Sequence, residues 1–488
     1  MGERIVKEAL ARQPHAGPAS PPQADGVAER IPCPDHQAQP MPLRLLSAPE
    51  RALWHLDRAC CLNGVQVAHV RGPLQPEHLE EGLARVQDRH PPWRVHIEDQ
   101  GAELRFVDGP RRPVPLRVVP RTEATAWLAH AEQELNAAFQ PEDHPLFRVT
   151  LVAGAQESEI IVSHHHVVAD ALSIVYRLAE LLEHASARLT GRPSPLPLAS
   201  LPLRPALGNL LRGRGPRRLL DMGSYLMRQA GARLRGARKL RYDAWAEPQA
   251  RRTRLLHAVL EAPQAAALRA RCHQEGTTVH GLLAAALLGA LCADPGTPAV
   301  LGCFSTVSLR GALREPVGTE TGLFVSQATT YHALSAEGEL WELARQVRRR
   351  LQQALGWGEP HMTFPWLGLL LPHGANPGPR LVRRLDLRVP AAVGITNAGQ
   401  LPIPTHYGPL ELTGLHLALG AGTVVPLLLG ATGLGGRLLL NLLHVEPLLG
   451  RERALGVQRR LLALLRAAAG PGPVPVALAD QLCDPPEA

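Results

Sequence analysis

The chain has 488 residues, of which 45% are hydrophobic and 20% are charged, and its formal net charge at pH 7 is +8. This length exceeds one ordinary domain, and the composition is typical of a globular chain with a hydrophobic core, so we expect two domains. Only Lys7 and Lys239 are lysines among the 52 basic residues, which nearly excludes catalysis through a lysine Schiff base.

Three features of the sequence favour a cytoplasmic protein. The seven cysteines are odd in number and have no paired spacing, which is typical of a reducing compartment. The N-terminus lacks the apolar core and cleavage site of a secretory signal. The longest apolar run, Gly281 to Cys292, has 12 residues, too few to cross a bilayer.

Residues 1–40 are rich in Pro, Ala and Gln without sustained periodicity, which predicts a disordered lead-in. Residues 41–192 form an N-terminal half with regular patterns. These predict a capped helix in SAPERALWHLD, a strand in GVQVAHVRG, an amphipathic helix in PEHLEEGLARVQDRH, and a strand pair in WRVHIED and LRFVDG.

The most informative stretch of this half runs from Glu157 to Leu182. The apolar, β-branched run Ile160 to Val162 suits a buried strand, and from Asp170 onward the apolar residues recur at helical spacing. Residues 164–170 therefore form a strand-to-helix corner. Three histidines and an aspartate lie there, where alternation alone would have placed an aliphatic residue.

Within the corner, His165, His166 and Asp170 form the pattern H-H-x-x-x-D. An imidazole with an ordinary pKa of about 6.5 can accept the proton of a hydroxyl or amine that attacks a carbonyl. Adjacent residues of an extended segment face opposite sides, so one histidine can face a cavity while the other supports the structure. The aspartate can cap the helix or form an ion pair. A metal site is disfavoured, because H-E-x-x-H and C-x-x-C motifs are absent from the sequence.

Residues 193–248 form a basic connector. Between Arg204 and Arg241 there are eleven basic residues and one acid, Asp221, so this stretch contributes +10 and the rest of the chain −2. It can attract an acidic carrier protein, the phosphates of CoA or an anionic membrane surface, or it can be a solvated helical connector in an arginine-rich protein. Nucleic acid is disfavoured, because aromatic residues are scarce and no reader motif is present.

Residues 249–488 form a C-terminal half. Its patterns predict strands in TRLLHAVLE and in AVLGCFSTVSLRGAL, the second running to Arg310. They also predict a helix in TTVHGLLAAALLGALC that is buried nearly all round, and an amphipathic helix in ELWELARQVRRRLQQAL. We interpret His280 as a satisfied core histidine. The segment Gly356 to Gly378 has no clear period, which predicts a covering loop or a lining of the substrate channel.

Two clusters carry a resemblance to a known family. The segments PLFRVTLV and IIVSHHHVVADALS resemble the core motif of the CoA-dependent acyltransferase superfamily, although Ala171 stands where the family has Gly. That superfamily contains chloramphenicol acetyltransferase, peptide-synthetase condensation domains and polyketide-associated O-acyltransferases. The segment VGITNAGQLPIPTHYGPLEL resembles the last group, which includes the phthiocerol/phthiodiolone dimycocerosyl transferases; condensation domains carry D-F-G-W-G there. The resemblance covers residues 42–470.

The resemblance implies an α/β fold of two chloramphenicol acetyltransferase-like halves, with mixed sheets and an active-site tunnel at their interface. It implies that His166 is the general base, that His165 and Asp170 support the site, and that Arg310 pairs with Asp170. The fork of that arginine is expected to hold the carboxylate bidentately. Asn397 is a candidate substrate-binding residue, and its alternative is a turn with Gly399.

The implied function is transfer of an acyl group from acyl-CoA, or from a carrier protein that presents it as a phosphopantetheinyl thioester, to a small-molecule hydroxyl. Neither a cofactor, a metal nor a covalent acyl-enzyme is expected. The altered second cluster favours an ester over an amide. The alternatives are a condensation-type N-acyltransferase with an amine acceptor, a carrier-binding module without activity, and a metal-dependent hydrolase. The basic connector, residues 204–241, is a candidate docking segment for the carrier or for peripheral membrane contact.

Overall fold

The computed structural model describes residues 41–477 except 100–102, 109–111, 141, 198, 212–216, 293, 295–296, 372–376, 390 and 423–424. The lead-in predicted for residues 1–40 lies outside the described residues. The described chain mixes helices with parallel and antiparallel strands, so the predicted α/β class is confirmed.

The elements of the N-terminal half follow the predicted order closely. They are β1 (Met41–Leu45), α1 (Ala48–Ala59), β2 (Asn63–Arg71), α2 (Pro76–Arg89), β3 (Val95–Asp99), β4 (Leu104–Asp108), β5 (Leu116–Pro120), α3 (Ala126–Asn136), β6 (Phe147–Ala153), β7 (Glu157–His165) and α4 (Ala171–Thr190).

The connector and the C-terminal half supply the remaining elements. They are α5 (Leu207–Leu210), α6 (Arg217–Leu234), β8 (Ala237–Arg238), β9 (Arg252–Leu260), α7 (Ala262–Gln274), α8 (Val279–Cys292), β10 (Val300–Ser308), β11 (Val325–Ala333), α9 (Leu340–Gly356), α10 (Glu359–Leu370), α11 (Gly378–Arg388), β12 (Ala391–Gln400), β13 (His406–Tyr407), β14 (Leu410–Leu419), β15 (Leu427–Leu434), β16 (Arg437–Glu446) and α12 (Arg451–Ala468).

Two large mixed sheets organise the molecule. The strand order of the N-terminal sheet is β13-β14-β2-β7-β6-β5, and that of the C-terminal sheet is β11-β10-β12-β15-β16-β9, with β8 beside β10. Strands β13 and β14 belong to the C-terminal half in sequence but lie in the N-terminal sheet, where β14 runs antiparallel to β2 and pairs Leu412 with Val70. The division of the chain at residue 249 is therefore not a division between the sheets.

Helix α8 lies in the core of the C-terminal half. Every residue from 281 to 291 is buried, as predicted from an apolar helix without a polar face. No helix in the described part of the chain is by itself long and apolar enough to cross a membrane. Helices α7 and α8 meet the length and composition criteria only as a pair, and they are bent by 100°.

One segment differs from the predictions. Residues 359–370 form helix α10 with Pro365 inside it, so the prediction of a covering loop was wrong for this part of the segment. Apolar residues occur on all sides of this helix, so its sequence lacks the helical period that would have identified it. The basic connector also contains structure of its own, because α6 packs against α10 and β8 extends the C-terminal sheet.

Candidate active site

The histidine corner is built as predicted. Strand β7 ends at His165, residues 166–168 form a turn, and α4 begins at residue 171. His164 pairs with Gly64 across β7 and β2, and a Cβ on Gly64 would lie only 2.2 Å from Cε1 of the His164 ring. The glycine thus leaves room for this ring, and burial lowers the pKa of His164 to about 3.

His165 supports the corner from the opposite face. Its ring stacks on Trp54 at a centroid distance of 5.1 Å, and its Nδ1 accepts a hydrogen bond of 3.1 Å from the Val167 amide. The proton therefore lies on Nε2, which is 3.5 Å from Oδ2 of the buried Asp57. Burial lowers the pKa of His165 to about 3 and raises that of Asp57 to about 6. This contact therefore joins a neutral imidazole to a carboxyl group and is not an ion pair.

His166 differs from its two neighbours because its ring reaches a cavity. Its Nδ1 lies 3.0 Å from the Ala169 carbonyl oxygen, so Nδ1–H donates to that oxygen and Nε2 keeps a free lone pair. Burial lowers the pKa of His166 below its usual 6.5, which leaves the ring neutral at physiological pH. A neutral imidazole with a free Nε2 is the form that can accept a proton.

The cavity has a volume of about 140 Å³ and lies between the two halves. Its wall combines His166 with apolar residues of α1, β10 and β15 and with a face of α10 that carries Thr363, Trp366 and Leu367. None of the described residues that line it carries a charged side chain. The volume is close to the roughly 150 Å³ of an apolar cavity that holds a benzene ring, so a short apolar chain fits.

Asp170 joins the corner to the C-terminal half. As the N-cap of α4, its Oδ1 accepts hydrogen bonds from the backbone N of Ser173 at 2.8 Å and from the Ser173 hydroxyl at 2.7 Å. Its Oδ2 accepts a hydrogen bond of 3.0 Å from the backbone N of Phe324. The Asp170 amide in turn donates to the Gly322 carbonyl at 3.0 Å. One buried carboxylate therefore caps the N-terminus of a helix in one half and fixes a loop of the other half.

Arg310 also lies at this junction. Its Nη2 is 3.3 Å from Asp170 Oδ1 and donates to the Ser173 hydroxyl at 2.8 Å. Both terminal nitrogens donate to the Glu320 carbonyl at 3.3 Å, and Nη1 also donates to the Gly318 carbonyl at 3.1 Å. The expected bidentate grip on the carboxylate is not formed, because the guanidinium is shared with backbone carbonyls of the 318–320 loop.

The remaining predicted residues lie away from the cavity. The Asn397 side-chain oxygen accepts a hydrogen bond of 2.9 Å from the Gly399 amide and thus holds the turn that we considered as its alternative role. His280 Nε2 lies 2.8 Å from the Ser305 hydroxyl, as expected of a satisfied core histidine. No three His, Cys, Asp or Glu side chains of the described residues converge on a point where a metal could bind.

Asp57 is a site residue that the sequence reasoning missed. Its Oδ1 accepts a hydrogen bond of 2.7 Å from the Leu62 amide, and its Oδ2 faces His165. Its signal in the sequence was its place on α1 four residues after Leu53, because this spacing puts a carboxylate on the apolar face of an amphipathic helix.

The N-terminal and C-terminal parts of the chain match different known families. Residues 61–200 match the family described as Condensation domain, and residues 248–425 match the family described as Phthiocerol/phthiodiolone dimycocerosyl transferase C-terminus. The first match contains the H-H-x-x-x-D corner, and the second contains Asn397 and the Y-G-P-L segment.

The individual proteins that resemble this chain match different lengths of it. The phthiocerol/phthiodiolone dimycocerosyl transferase of Mycobacterium ulcerans is 25% identical over 374 residues, which cover 74% of this chain and 82% of that protein. The cyclosporin synthetase of Tolypocladium inflatum is 31% identical over 156 residues, which cover 30% of this chain but only 1% of that much longer protein.

Among solved structures, the trichothecene 15-O-acetyltransferase of Fusarium sporotrichioides superposes with a TM-score of 0.66 at 12% identity. The superposition covers 87% of this chain and 95% of the other. At this identity the likeness establishes the shared two-lobed fold alone.

Proposed function

We propose that this chain, whose two halves match the condensation-domain family and the dimycocerosyl transferase C-terminus family, transfers an acyl group from a thioester to a hydroxyl. The donor is an acyl-CoA or a carrier-bound phosphopantetheinyl thioester, and the product is an ester. The observation that carries the proposal is that His166, whose Nδ1–H is held by the Ala169 carbonyl, lines an uncharged cavity between the two halves.

The chemistry begins with a proton on the acceptor. Nε2 of His166 takes the hydroxyl proton while the hydroxyl oxygen forms a bond to the thioester carbonyl carbon. The C–S bond then breaks, and the thiolate recovers the proton from Nε2, so the enzyme returns to its starting state. The Ala169 carbonyl accepts Nδ1–H throughout and keeps the ring in one orientation.

The other corner residues act as positioning residues in this proposal. Asp170 and Arg310 hold the turn that carries His166 against the loop of the opposite half. His165 fills the space behind the turn against Trp54 and Asp57. A general base must lie within hydrogen-bond reach of the proton it takes, so a small displacement of this turn reduces the rate.

Amide formation is the second candidate. It is favoured by the match of residues 61–200 to the condensation-domain family. Ester formation is favoured by the match of residues 248–425 to the dimycocerosyl transferase family and by the sequence Tyr407 to Leu410, which reads Y-G-P-L. Both reactions use the same base on the same donor, and they differ only in the nucleophile.

The test is release of free thiol from acyl-CoAs of increasing chain length, with an aliphatic alcohol, an aliphatic amine or neither. We expect alcohol-dependent release that falls by roughly 10² to 10⁴ in His166→Ala, the usual contribution of a general base. His273→Ala is the matched control, because His273 is exposed on α7.

Full activity in His166→Ala would refute the assignment of the base. Release that requires the amine and ignores the alcohol would replace the ester by an amide. If no acyl-CoA gives release, the same comparison is repeated with acylated carrier proteins as donors. Binding of such carriers without turnover would favour a module without activity.

A further inference from the structure

A second, larger cavity lies outside the one that His166 faces. Its volume is about 370 Å³, and it lies at the edge of the C-terminal sheet, between β11, α6 and the C-terminal end of α9. Three arginines line it: Arg228 on α6, Arg235 just after that helix, and Arg350 on α9. The mechanism described above uses none of them.

The positive charge of this cavity is poorly neutralised. None of the three guanidinium groups forms an ion pair with a carboxylate in the described part of the chain. The Nε and Nη2 atoms of Arg228 are buried and have no hydrogen-bond partner among the residues that the structure describes. The pKa of Arg350 is lowered, first by burial and then by repulsion from Arg235 and Arg349. Gathering like charges in this way costs free energy unless an anion binds between them.

One carboxyl group also lines the cavity. Oε1 of Glu359 accepts a hydrogen bond of 2.8 Å from the Thr329 amide, and burial raises the pKa of Glu359 to about 7. This group is therefore only partly ionised at neutral pH, and even when ionised it cancels one of the three positive charges.

The kind of anion follows from the geometry of the groups. Guanidinium groups match phosphate oxygens through paired N–H donors. The Trp357 ring, 48% exposed at the rim, lies 4.5 Å from the Cζ of Arg228 and offers a flat surface beside the charges. Gln229 and Thr329 line both this cavity and the cavity of His166, so the two adjoin. A ligand with a phosphate at one end and a thioester at the other fits this arrangement.

We propose that Arg228, Arg235 and Arg350 bind a phosphate of the acyl donor and thereby orient its thioester toward His166. The inference rests on the proposed function in one respect, namely that the donor is a phosphopantetheinyl thioester. Free CoA and a carrier-bound phosphopantetheine arm share this phosphate, and the test separates the two sources.

The experiment measures binding and does not depend on turnover. Isothermal titration gives the dissociation constants of CoA, 4′-phosphopantetheine and pantetheine for the wild-type protein, for Arg235→Gln and for Arg235→Gln/Arg350→Gln. Because a hydrogen bond to a charged group is worth a factor of about 10 or more, we expect CoA to bind about 10-fold more weakly to the single variant and about 100-fold more weakly to the double variant. Pantetheine, which has no phosphate, should bind all three proteins equally.

Controls separate this site from general charge effects. Arg235 is exposed, so its single replacement should leave folding intact, and Arg459→Gln on α12 makes the same charge change at an exposed site far along the chain. CoA that binds more tightly than 4′-phosphopantetheine would identify free CoA as the source. If CoA and 4′-phosphopantetheine bind equally, and both bind more tightly than pantetheine, the site recognises the phosphate that a carrier-bound arm also has.

Two outcomes would overturn the inference. One is that pantetheine binds the wild type as tightly as CoA, and the other is that CoA binds both arginine variants as tightly as the wild type. Neither outcome bears on acyl transfer through His166, and full activity in His166→Ala, which would refute the proposed base, does not bear on CoA binding. The failure of one proposal is therefore distinguishable from the failure of the other.

Discussion

Replacing Asp170 by Ala should destabilise the protein far more than the loss of an ordinary helix cap. The cap itself, a hydrogen bond of 2.8 Å to the Ser173 amide, is worth about 1 kcal/mol. The buried Phe324 amide would lose its acceptor at 3.0 Å, which costs about 1 to 3 kcal/mol. Arg310 would lose its only carboxylate among the described residues but would keep two backbone carbonyls, so we add about 1 kcal/mol. The sum is about 4 kcal/mol.

Urea unfolding followed by tryptophan fluorescence measures this free energy. Glu339→Ala is the control, because Glu339 caps α9 by accepting from the Glu342 amide and accepts a second bond of 3.2 Å from the Val474 amide, but is partly exposed. It should cost about 1 to 2 kcal/mol. In Asp170→Ala/Arg310→Ala the two losses should fall short of additivity by about 1 kcal/mol. A loss in Asp170→Ala no larger than that in Glu339→Ala would refute the idea that this carboxylate joins the halves.

Three further predictions concern the corner and the cavity. Burial lowers the pKa of His166, and only the neutral imidazole is a base, so with His166 as the proposed base kcat/KM should rise with pH to a plateau, with an apparent pKa below 6.5. A pH–rate profile between about pH 4.5 and 8 checks this, and a midpoint above 6.5 would contradict it. Gly64→Ala should destabilise the protein by about 1 to 3 kcal/mol and reduce acyl transfer, because the new Cβ would overlap the His164 ring. Gly223→Ala should not destabilise the protein, because Gly223 faces open space on α6. Urea midpoints and thiol release measure both variants. Leu367→Trp should fill the cavity and shift the preferred acyl-CoA to shorter chains. Leu369→Trp should leave the preference unchanged, because Leu369 on the same helix is 72% exposed. An unchanged preference in both variants would refute the idea that the acyl chain binds in this cavity.

Local patterns predicted the elements that carry their own signal. The histidine corner was predictable because the period changes from strand to helix at a defined residue, and α8 because its apolar residues leave no polar face. Helix α10 was missed because its apolar residues have no period and Pro365 suggests a loop. The pairing of Arg310 with the corner came from family resemblance, but the sharing of its nitrogens with the 318–320 loop depends on a backbone path that no local pattern encodes.

Contacts between distant segments were the least predictable part. Asp57 and His165 are more than one hundred residues apart, and only the folded sheet brings them together. The place of β14 has the same origin, because alternation of apolar residues identifies a strand but not the sheet that it joins. The arginine cavity likewise combines α6, β11 and α9, and in the sequence its three charges looked like an ordinary basic stretch and a helix surface.

The crossover of β14 also dictates when the N-terminal half can finish folding during synthesis. Arg71 on β2 and its partner Glu411 on β14 are 340 residues apart, so β2 remains an open sheet edge until β14 has left the ribosome. At about 5 to 20 residues per second this takes roughly 17 to 70 s. During that time the backbone edge of β2, with its buried valines, is available for pairing with other chains. Expression of residues 41–192 alone should therefore give aggregates, and supplying residues 249–477 as a separate fragment should restore solubility.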